Sequence, residues 1–397
     1  MAILGFRIQE LTVKIIADQN IPFVKECFEH LGEVQLVAGR DVTPAMVADA
    51  DALLVRSVTQ VNELLLAGSS VKFVATATIG VDHIDQDYLA AQGIGFASAP
   101  GSNANSVAEW VVAALLTVAE KYNFVLAGKS IGIVGVGNVG SRVEAKCRAL
   151  GLEVRLNDPP LSRETGDRKY RPLEELYDCD IVTFHTPLTK EGPDKTVHLA
   201  GADFFAKLKP GAIFINSSRG GVHDTQALHR TMDQGRLQAV ILDVWENEPT
   251  IDTALLERVD LASPHIAGYS YDGKIAGLIM IYEALCEHFH LIREHTCRDF
   301  LPEPLVPEIV LDQRDRSLQP VLRSVVKQVY DIEADDRRTR DILSTPAEQQ
   351  GAFFDGLRKN YPVRREFQNT VIRCVSGQAA LIQTLQGIGF QVDVNAD

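Results

Sequence analysis

Residues 131–140 read Ile-Gly-Ile-Val-Gly-Val-Gly-Asn-Val-Gly, and no other stretch restricts the fold so tightly. The apolar run at 131–134 predicts a buried strand, and residues 139–150 predict a helix that Gly151 can cap. Between them Gly135, Gly137 and Gly140 have the spacing G-x-G-x-x-G. In a strand–turn–helix the first permits the tight turn, the second lets a pyrophosphate approach the backbone, and the third lets helix and strand pack closely. Asn138 and Val139 open the helix, whose N-terminus offers free N–H groups and a positive dipole end to phosphates. Alone, this motif is a weak signal, because glycine-rich turns are common. Its second half lies at residues 153–158, a predicted strand closed by Asp158 at the spacing of a ribose-binding carboxylate. Such a carboxylate accepts hydrogen bonds from ribose hydroxyls and repels the 2′-phosphate of NADP, so NAD is the expected cofactor. Pro159 and Pro160 then stop the strand, since neither has an N–H for the ladder. The simpler alternative, a ligand-free turn, must explain all four features in register.

The chain has 397 residues, enough for two or three domains, with 46% hydrophobic residues as in ordinary globular proteins. A net charge of -14 argues against general nucleic-acid binding, which needs a basic face. An anionic small molecule is still open, because it needs only a local cation cluster. Six scattered cysteines with no C-x-x-C pair argue against a disulfide framework or zinc site and fit a reducing cytoplasm. No histidine spacing points to a metal. The longest strongly apolar stretch, 110–119, is shorter than the roughly 20 residues that cross a bilayer, so no membrane partner is expected. The N-terminus has no signal-peptide pattern.

Strands are predicted at 13–18, 52–56, 72–75 and 94–97, with helices at 22–30 and 62–67. Alternation of this kind implies parallel pairing, here a flavodoxin-like α/β substrate (lid) domain. A long apolar helix at 105–121, which Asn103 or Asn105 can cap, leads into a second unit. Its strands at 131–134, 154–157, 181–184, 212–216, 239–242 and 260–262 make a Rossmann-type, doubly wound parallel sheet inserted in the first unit. A helix at 273–290 returns to that first unit. Residues 301–307, with three prolines, read as an extended linker. Beyond it come a charged helical stretch (312–340), an aromatic basic one (353–367) and strands at 371–375 and 390–394. The expected division is 13–106 with 270–297 (substrate domain), 107–269 (NAD-binding domain) and 298–397 (a C-terminal α+β domain). The last could bind a partner; homo-oligomerisation is the preferred reading, as the common state of soluble enzymes.

Ligands of open α/β sheets lie at the carboxyl ends of the strands. The last three strands of the second unit end in Asn216-Ser217-Ser218-Arg219-Gly220-Gly221, Asp243-Val244-Trp245-Glu246-Asn247-Glu248-Pro249 and Ser263-Pro264-His265-Ile266-Ala267-Gly268. Oxidising an alcohol sends a hydride to nicotinamide and a proton to a base. His265 is the best candidate base, since histidine is the side chain suited to exchanging a proton in general acid–base catalysis. Glu248 can hold the other ring nitrogen and stabilise the imidazolium, as in a triad without its serine. Arg219 offers a planar fork that matches a carboxylate, which points to a 2-hydroxy acid. Singly, each is as well explained as a turn residue or surface charge; together on one sheet edge they are not. His185 lacks an acidic neighbour and reads as structural, and Asp82-His83 with Asp85 reads as a turn before a helix.

These segments, with His185-Thr186-Pro187-Leu188-Thr189 and Leu208-Lys209-Pro210-Gly211-Ala212, resemble the D-isomer-specific 2-hydroxyacid dehydrogenases over about residues 50–290. The family's catalytic arginine, glutamate and histidine fall on Arg219, Glu248 and His265. A closer correspondence is carried by Val55-Arg56-Ser57-Val58-Thr59, Ala75-Thr76-Ala77-Thr78, Asp158-Pro159-Pro160, Gly268-Tyr269-Ser270 and Asp272-Gly273-Lys274. It implies a small phosphorylated 2-hydroxy acid as substrate, touched by Ser57, Thr78 and Tyr269. It also implies NAD contacts from Asn138, Val139, Asp158, Thr186, Asp243 and Gly268, and a homodimer made by the C-terminal domain. Ile79 is bulkier than the small residue many relatives have there, and residues 1–12 fall outside the match. Arg56 and Lys274 fit either phosphate contacts or surface cations. Another 2-hydroxy acid, such as glycerate or phosphoglycerate, stays open as substrate. An NAD-sensing scaffold or corepressor also stays open, and the intact Arg219, Glu248 and His265 set argues against it. His265→Ala and Arg219→Lys are each expected to lose turnover of the 2-hydroxy acid in a nicotinamide absorbance assay, the second because lysine lacks the bidentate fork. Undiminished turnover in either variant refutes the assigned role.

Overall fold

The computed structural model describes residues 12–312, 317–376 and 379–394. The chain divides into two compact units, Met1–Asn103 with Asp272–Pro302, and Ala104–Tyr271 with Glu303–Asp397.

In the first unit, β1 (Val13–Asp18), β2 (Gly32–Val37), β3 (Ala52–Val55), β4 (Phe73–Thr76) and β5 (Gly95–Ala97) form one parallel sheet. The strand order is β2-β1-β3-β4-β5, the flavodoxin-like arrangement. β3 and β4 are buried at every position, as strands of a parallel sheet with both faces covered must be. β2 is the element the sequence hides. Its Gly-Glu-Val-Gln-Leu-Val mixes polar and apolar residues because it lies at the sheet edge, where most of its positions stay open to solvent. The helix Tyr271–Phe289 returns to this unit, and His288 lies so close to Gly95 that a Cβ there would stand 2.7 Å from the ring.

In the second unit, β6 (Ser130–Val134), β7 (Glu153–Asn157), β8 (Ile181–Phe184), β9 (Ala212–Asn216), β10 (Leu237–Leu242) and β11 (Leu261–Ala262) pair in parallel in the order β11-β10-β9-β8-β6-β7. The chain leaves β6 for β7 on one side and then crosses to β8 on the other. That reversal opens a crevice between the carboxyl ends of β6 and β8. The helix Ala104–Lys121 is buried along nearly its whole length. It is apolar all round because it is covered all round. One cover is the helix Leu318–Val329, from the C-terminal part of the chain. A smaller parallel sheet, β12 (Glu308–Asp312), β13 (Val371–Ser376) and β14 (Gln391–Val394), completes this unit. The last two strands follow the sequence reading, while β12 begins directly after the proline-rich segment and carries no pattern of its own.

A buried ionic network fastens the C-terminal part to the larger sheet. Glu109, Lys146, Arg364 and Glu366 are each no more than 6% exposed. Lys146 Nζ donates to Ile388 O at 2.6 Å. Glu109 accepts from Phe367 N at 3.0 Å, and Glu366 accepts from the hydroxyls of Ser106 (2.7 Å) and Ser270 (3.1 Å). Arg364 donates to Ala267 O at 2.7 Å and lies over the Tyr330 ring at 4.2 Å. Two basic side chains thus lie among two acidic ones. Burial, reinforced by Glu366, pushes the Glu109 carboxyl well above its usual range, with Lys146 opposing. Lys146→Met is therefore expected to destabilise the fold by about 1–3 kcal/mol, the cost of leaving the buried Ile388 carbonyl without its donor. Urea unfolding checks this; an unchanged midpoint contradicts it.

Candidate active site

The glycine loop is shaped by sterics. Gly135 has φ +85°, a conformation that side-chain-bearing residues rarely adopt. A Cβ on Gly140 would lie 2.0 Å from Gly135 O, so helix and loop meet only if that residue is glycine. Gly137 caps the helix Asn138–Ala149 without a side-chain hydrogen bond, and no acidic residue stands in the first turn. The first N–H groups are thus left for an anion. Asp158 braces the same loop, its Oδ2 accepting from Val136 N at 2.8 Å and its Oδ1 from Leu161 N at 3.0 Å. The second bond caps a helix, Pro159–Thr165. The two prolines that end the strand also begin that helix, where a missing N–H costs nothing.

Thr186, just beyond β8, has a buried Oγ1 with no hydrogen-bond partner, and its methyl would stand 2.9 Å from a Cβ on Gly135. A buried orphan hydroxyl beside an anion-ready helix end fits a bound dinucleotide. His185 next to it is held by Thr183 Oγ1 at 3.0 Å and Ser217 Oγ at 3.3 Å.

Three adjacent strands supply the chemical groups. Beyond β9, Asn216 is fully buried and organises the turn that carries Arg219. Its Oδ1 accepts from Ser218 N and Oγ, and its Nδ2 donates to Arg219 O at 3.0 Å. Arg219 is half-buried, and its Nη1 donates to Ser218 O at 2.8 Å. The next residue, Gly220, runs under Trp245, whose carbonyl oxygen would stand 1.9 Å from a Cβ. Asn216 escaped the sequence reading because a polar strand end looks like any loop start.

Beyond β10 the two glutamates part company. Glu246 turns to His198 Nε2 (2.7 Å) and Thr225 N (2.8 Å). Glu248 accepts from Trp245 N through Oε1 (2.8 Å) and meets His265 Nδ1 through Oε2 (2.7 Å). Burial raises the Glu248 carboxyl, but the His265 charge, the hydrogen bonds and Arg358 outweigh it and hold the group below the usual glutamate value. His265 has φ +59°, strained for a residue other than glycine. Asp243 holds it there. Its carboxylate accepts from Ser263 Oγ (2.5 Å), Ile266 N (2.8 Å) and Ala267 N (3.0 Å), and its carbonyl accepts from His265 N (2.6 Å). Burial pushes the Asp243 carboxyl up, while His265 and these donors pull it back. The indoles of Trp110 and Trp245 both donate to Ser263, at its Oγ (3.1 Å) and its O (3.0 Å). Gly268 and Tyr269 follow, both half-buried, and the Tyr269 ring meets Tyr361 edge-on at 5.9 Å.

In the first unit, Ser57 is exposed in the turn after β3 and Thr78 lies two residues beyond β4. Thr78 Oγ1 donates to Gly80 O at 2.9 Å and shares a hydrogen bond with Thr76 Oγ1 at 2.7 Å, which in turn meets His83 Nε2 at 3.1 Å. Asp85 caps the helix Gln86–Ala91 by accepting from Tyr88 N. Arg56 donates to Asn20 O at 3.1 Å. Among the described residues no group of three His, Cys, Asp or Glu side chains is placed to hold a metal ion. Gly140→Ala is expected to weaken NADH binding about 10- to 100-fold, the equivalent of an overpacking cost of about 1–3 kcal/mol. A fluorescence titration measures it, and full affinity in the variant excludes the loop as the phosphate cradle.

Residues 104–267 match the family model for the D-isomer specific 2-hydroxyacid dehydrogenase NAD binding domain, and residues 300–389 match a domain of unknown function (DUF3410). The chain is similar to the erythronate-4-phosphate dehydrogenase of Cronobacter sakazakii, 46% identical over 379 residues, covering 95% of this chain and 98% of that one. The NAD+-bound 3-phosphoglycerate dehydrogenase of Entamoeba histolytica superimposes with TM-score 0.60 at 27% identity, covering 70% of this chain and 96% of its own. The D-lactate dehydrogenase of Aquifex aeolicus complexed with NAD and lactic acid does so with TM-score 0.58 at 26% identity, covering 70% and 95%. The chain belongs to the erythronate-4-phosphate dehydrogenases, a branch of the D-isomer-specific 2-hydroxyacid dehydrogenase family.

Proposed function

We propose that this chain oxidises 4-phospho-D-erythronate to 2-oxo-3-hydroxy-4-phosphobutanoate with NAD, a step of pyridoxal 5′-phosphate synthesis. The observation that carries this reading is the 2.7 Å pair of His265 Nδ1 with Glu248 Oε2, one strand away from Arg219's. With Nδ1–H directed at the carboxylate, Nε2 keeps its lone pair and takes the proton of the C2 hydroxyl. Glu248 stabilises the imidazolium that results. Arg219 pairs with the substrate carboxylate beside that carbon. Ser57, Thr78 and Tyr269 are the further substrate contacts.

NAD, when bound, supplies the acceptor for the electron pair that leaves C2. Gly135, Gly137, Asn138, Val139 and Gly140 would receive its phosphates, and Asp158 its ribose. Thr186, Asp243 and Gly268 would hold the rest. Three donors on the Asp243 carboxylate leave about one of its four lone-pair directions for this task.

The C-terminal part makes a homodimer in this reading, and the protein works in the cytoplasm. Six free cysteines, five of them buried, support a reducing compartment. Among the described residues no helix is long and apolar enough to cross a membrane.

Purified protein is expected to reduce NAD on addition of 4-phospho-D-erythronate; no reduction refutes the proposal. Sedimentation should give the mass of two chains, and a monomer refutes the dimer. Glu248→Gln should lower kcat about 10²- to 10⁴-fold, the usual worth of an acid–base pair. It should also change acid stability. The Glu248 carboxyl lies below its unfolded value of 4.5, so its stabilisation is complete above pH 4.5 and is lost as pH falls further. The variant should melt earlier than the parent at pH 7, and the two should converge on acidification. Melting curves that stay parallel across that range refute the linkage.

A further inference from the structure

The substrate of the proposed reaction carries a negative group at each end. Arg219 takes the carboxylate, and the phosphate needs a cation of its own. Among the described residues, the strand ends of the larger sheet provide Arg219 but no second guanidinium beside Glu248 and Tyr269. One comes from the C-terminal part of the chain.

The helix Gln350–Lys359 lies against the loop that carries Glu248. Gly351 in its first turn faces Thr250 and Pro249, which would stand 3.4 and 3.5 Å from a Cβ there. Phe354 is fully buried in the same hydrophobic cluster as Trp245 and Ile251. Arg358 is four residues on and therefore on the same face of the helix. Its guanidinium carbon lies 5.9 Å from the centre of the Tyr269 ring. Burial works against its charge, but Tyr269 and Glu248 together outweigh that and raise its pKa. The Asp355 carboxylate oxygen Oδ1 stands 3.9 Å from Nη1, beyond hydrogen-bond distance. The Nε–H is buried with no hydrogen-bond partner. An orphan donor on a guanidinium is costly unless something arrives to accept from it.

We infer that Arg358 is the substrate-binding residue that receives the phosphate, delivered by the C-terminal domain to the His265 end of the site. The inference rests on the reaction proposed above. It gives residues 300–389, which match a domain of unknown function, a place in substrate selection. The pairing is a fork of N–H donors on phosphate oxygens, the geometry for which arginine surpasses lysine.

The test compares the full-length protein with Arg358→Gln and Arg358→Lys on 4-phospho-D-erythronate and on unphosphorylated D-erythronate. The preference for the phosphorylated acid, as a ratio of kcat/KM values, is expected to fall about 30-fold or more in Arg358→Gln, the scale of losing a desolvated charge partner. Arg358→Lys should recover part of it. The ratio is internal to each variant, so lost protein or a general weakening of the Glu248–His265 pair does not move it. A ratio unchanged in Arg358→Gln overturns the inference and leaves Arg358 as a positioning residue for Glu248 and Tyr269. Inorganic phosphate provides a second probe. Its inhibition constant against 4-phospho-D-erythronate should rise at least about tenfold in Arg358→Gln, and an equal constant overturns the inference. If the parent protein fails to oxidise 4-phospho-D-erythronate at all, the proposed reaction itself is refuted, which is a separate outcome.

Discussion

Three donors converge on the carboxylate of Asp243, which is 1% exposed at the end of β10. They are the hydroxyl of Ser263 and the amides of Ile266 and Ala267, and the Asp243 carbonyl meanwhile takes the amide of His265. The whole turn after β11 is thereby wound around one residue of the neighbouring strand. His265 pays for this with a left-handed backbone, a strain of about 1–3 kcal/mol. Hydrogen bonds to charged groups contribute about 1.5–3 kcal/mol each, so three of them exceed the strain. The imidazole is then aimed at Glu248, and the order of the pair follows from the order of the turn.

This arrangement explains which features could be read from residues alone. The glycine spacing, Asp158 and the three chemical strand ends are visible because each is a local pattern tied to a parallel strand. β2 and β12 are not, because an edge strand with mixed polarity has no periodicity that separates it from a loop. Pro159 and Pro160 were legible as an end and hid a beginning, since the same missing N–H that breaks a ladder suits the first turn of a helix. Glu246 and Glu248 differ by two positions and carry the same side chain; the family resemblance singles out Glu248, and the backbone between them sends Glu246 to His198 and Glu248 to His265. Arg358 lies more than ninety residues beyond His265, and no short-range pattern links it to the site.

The C-terminal part is more closely joined to the NAD-binding sheet than an added module needs to be. Glu109 and Lys146 belong to two helices of the nucleotide-binding fold, whereas Arg364 and Glu366 come from the far end of the chain. A buried network of this kind is a poor source of net stability and a good source of register, because each charge must meet its own partner. The seam also meets the chemical end of the sheet directly. Ala267, whose amide binds Asp243, accepts from Arg364 through its carbonyl. A shift of the C-terminal part is therefore felt at the turn that presents His265.

The chain contains two tryptophans, and both donate their indole N–H to Ser263, two residues before His265. They reach it from different elements, Trp110 from the long buried helix and Trp245 from the loop beyond β10. All tryptophan emission from this protein thus originates at one place, against the turn that carries His265. The molecule has a built-in optical reporter there. Reduced nicotinamide absorbs where tryptophan emits, so the same two indoles serve as energy donors to a cofactor seated at that edge of the sheet. Turn geometry and cofactor occupancy are both open to spectroscopy in the unlabelled protein.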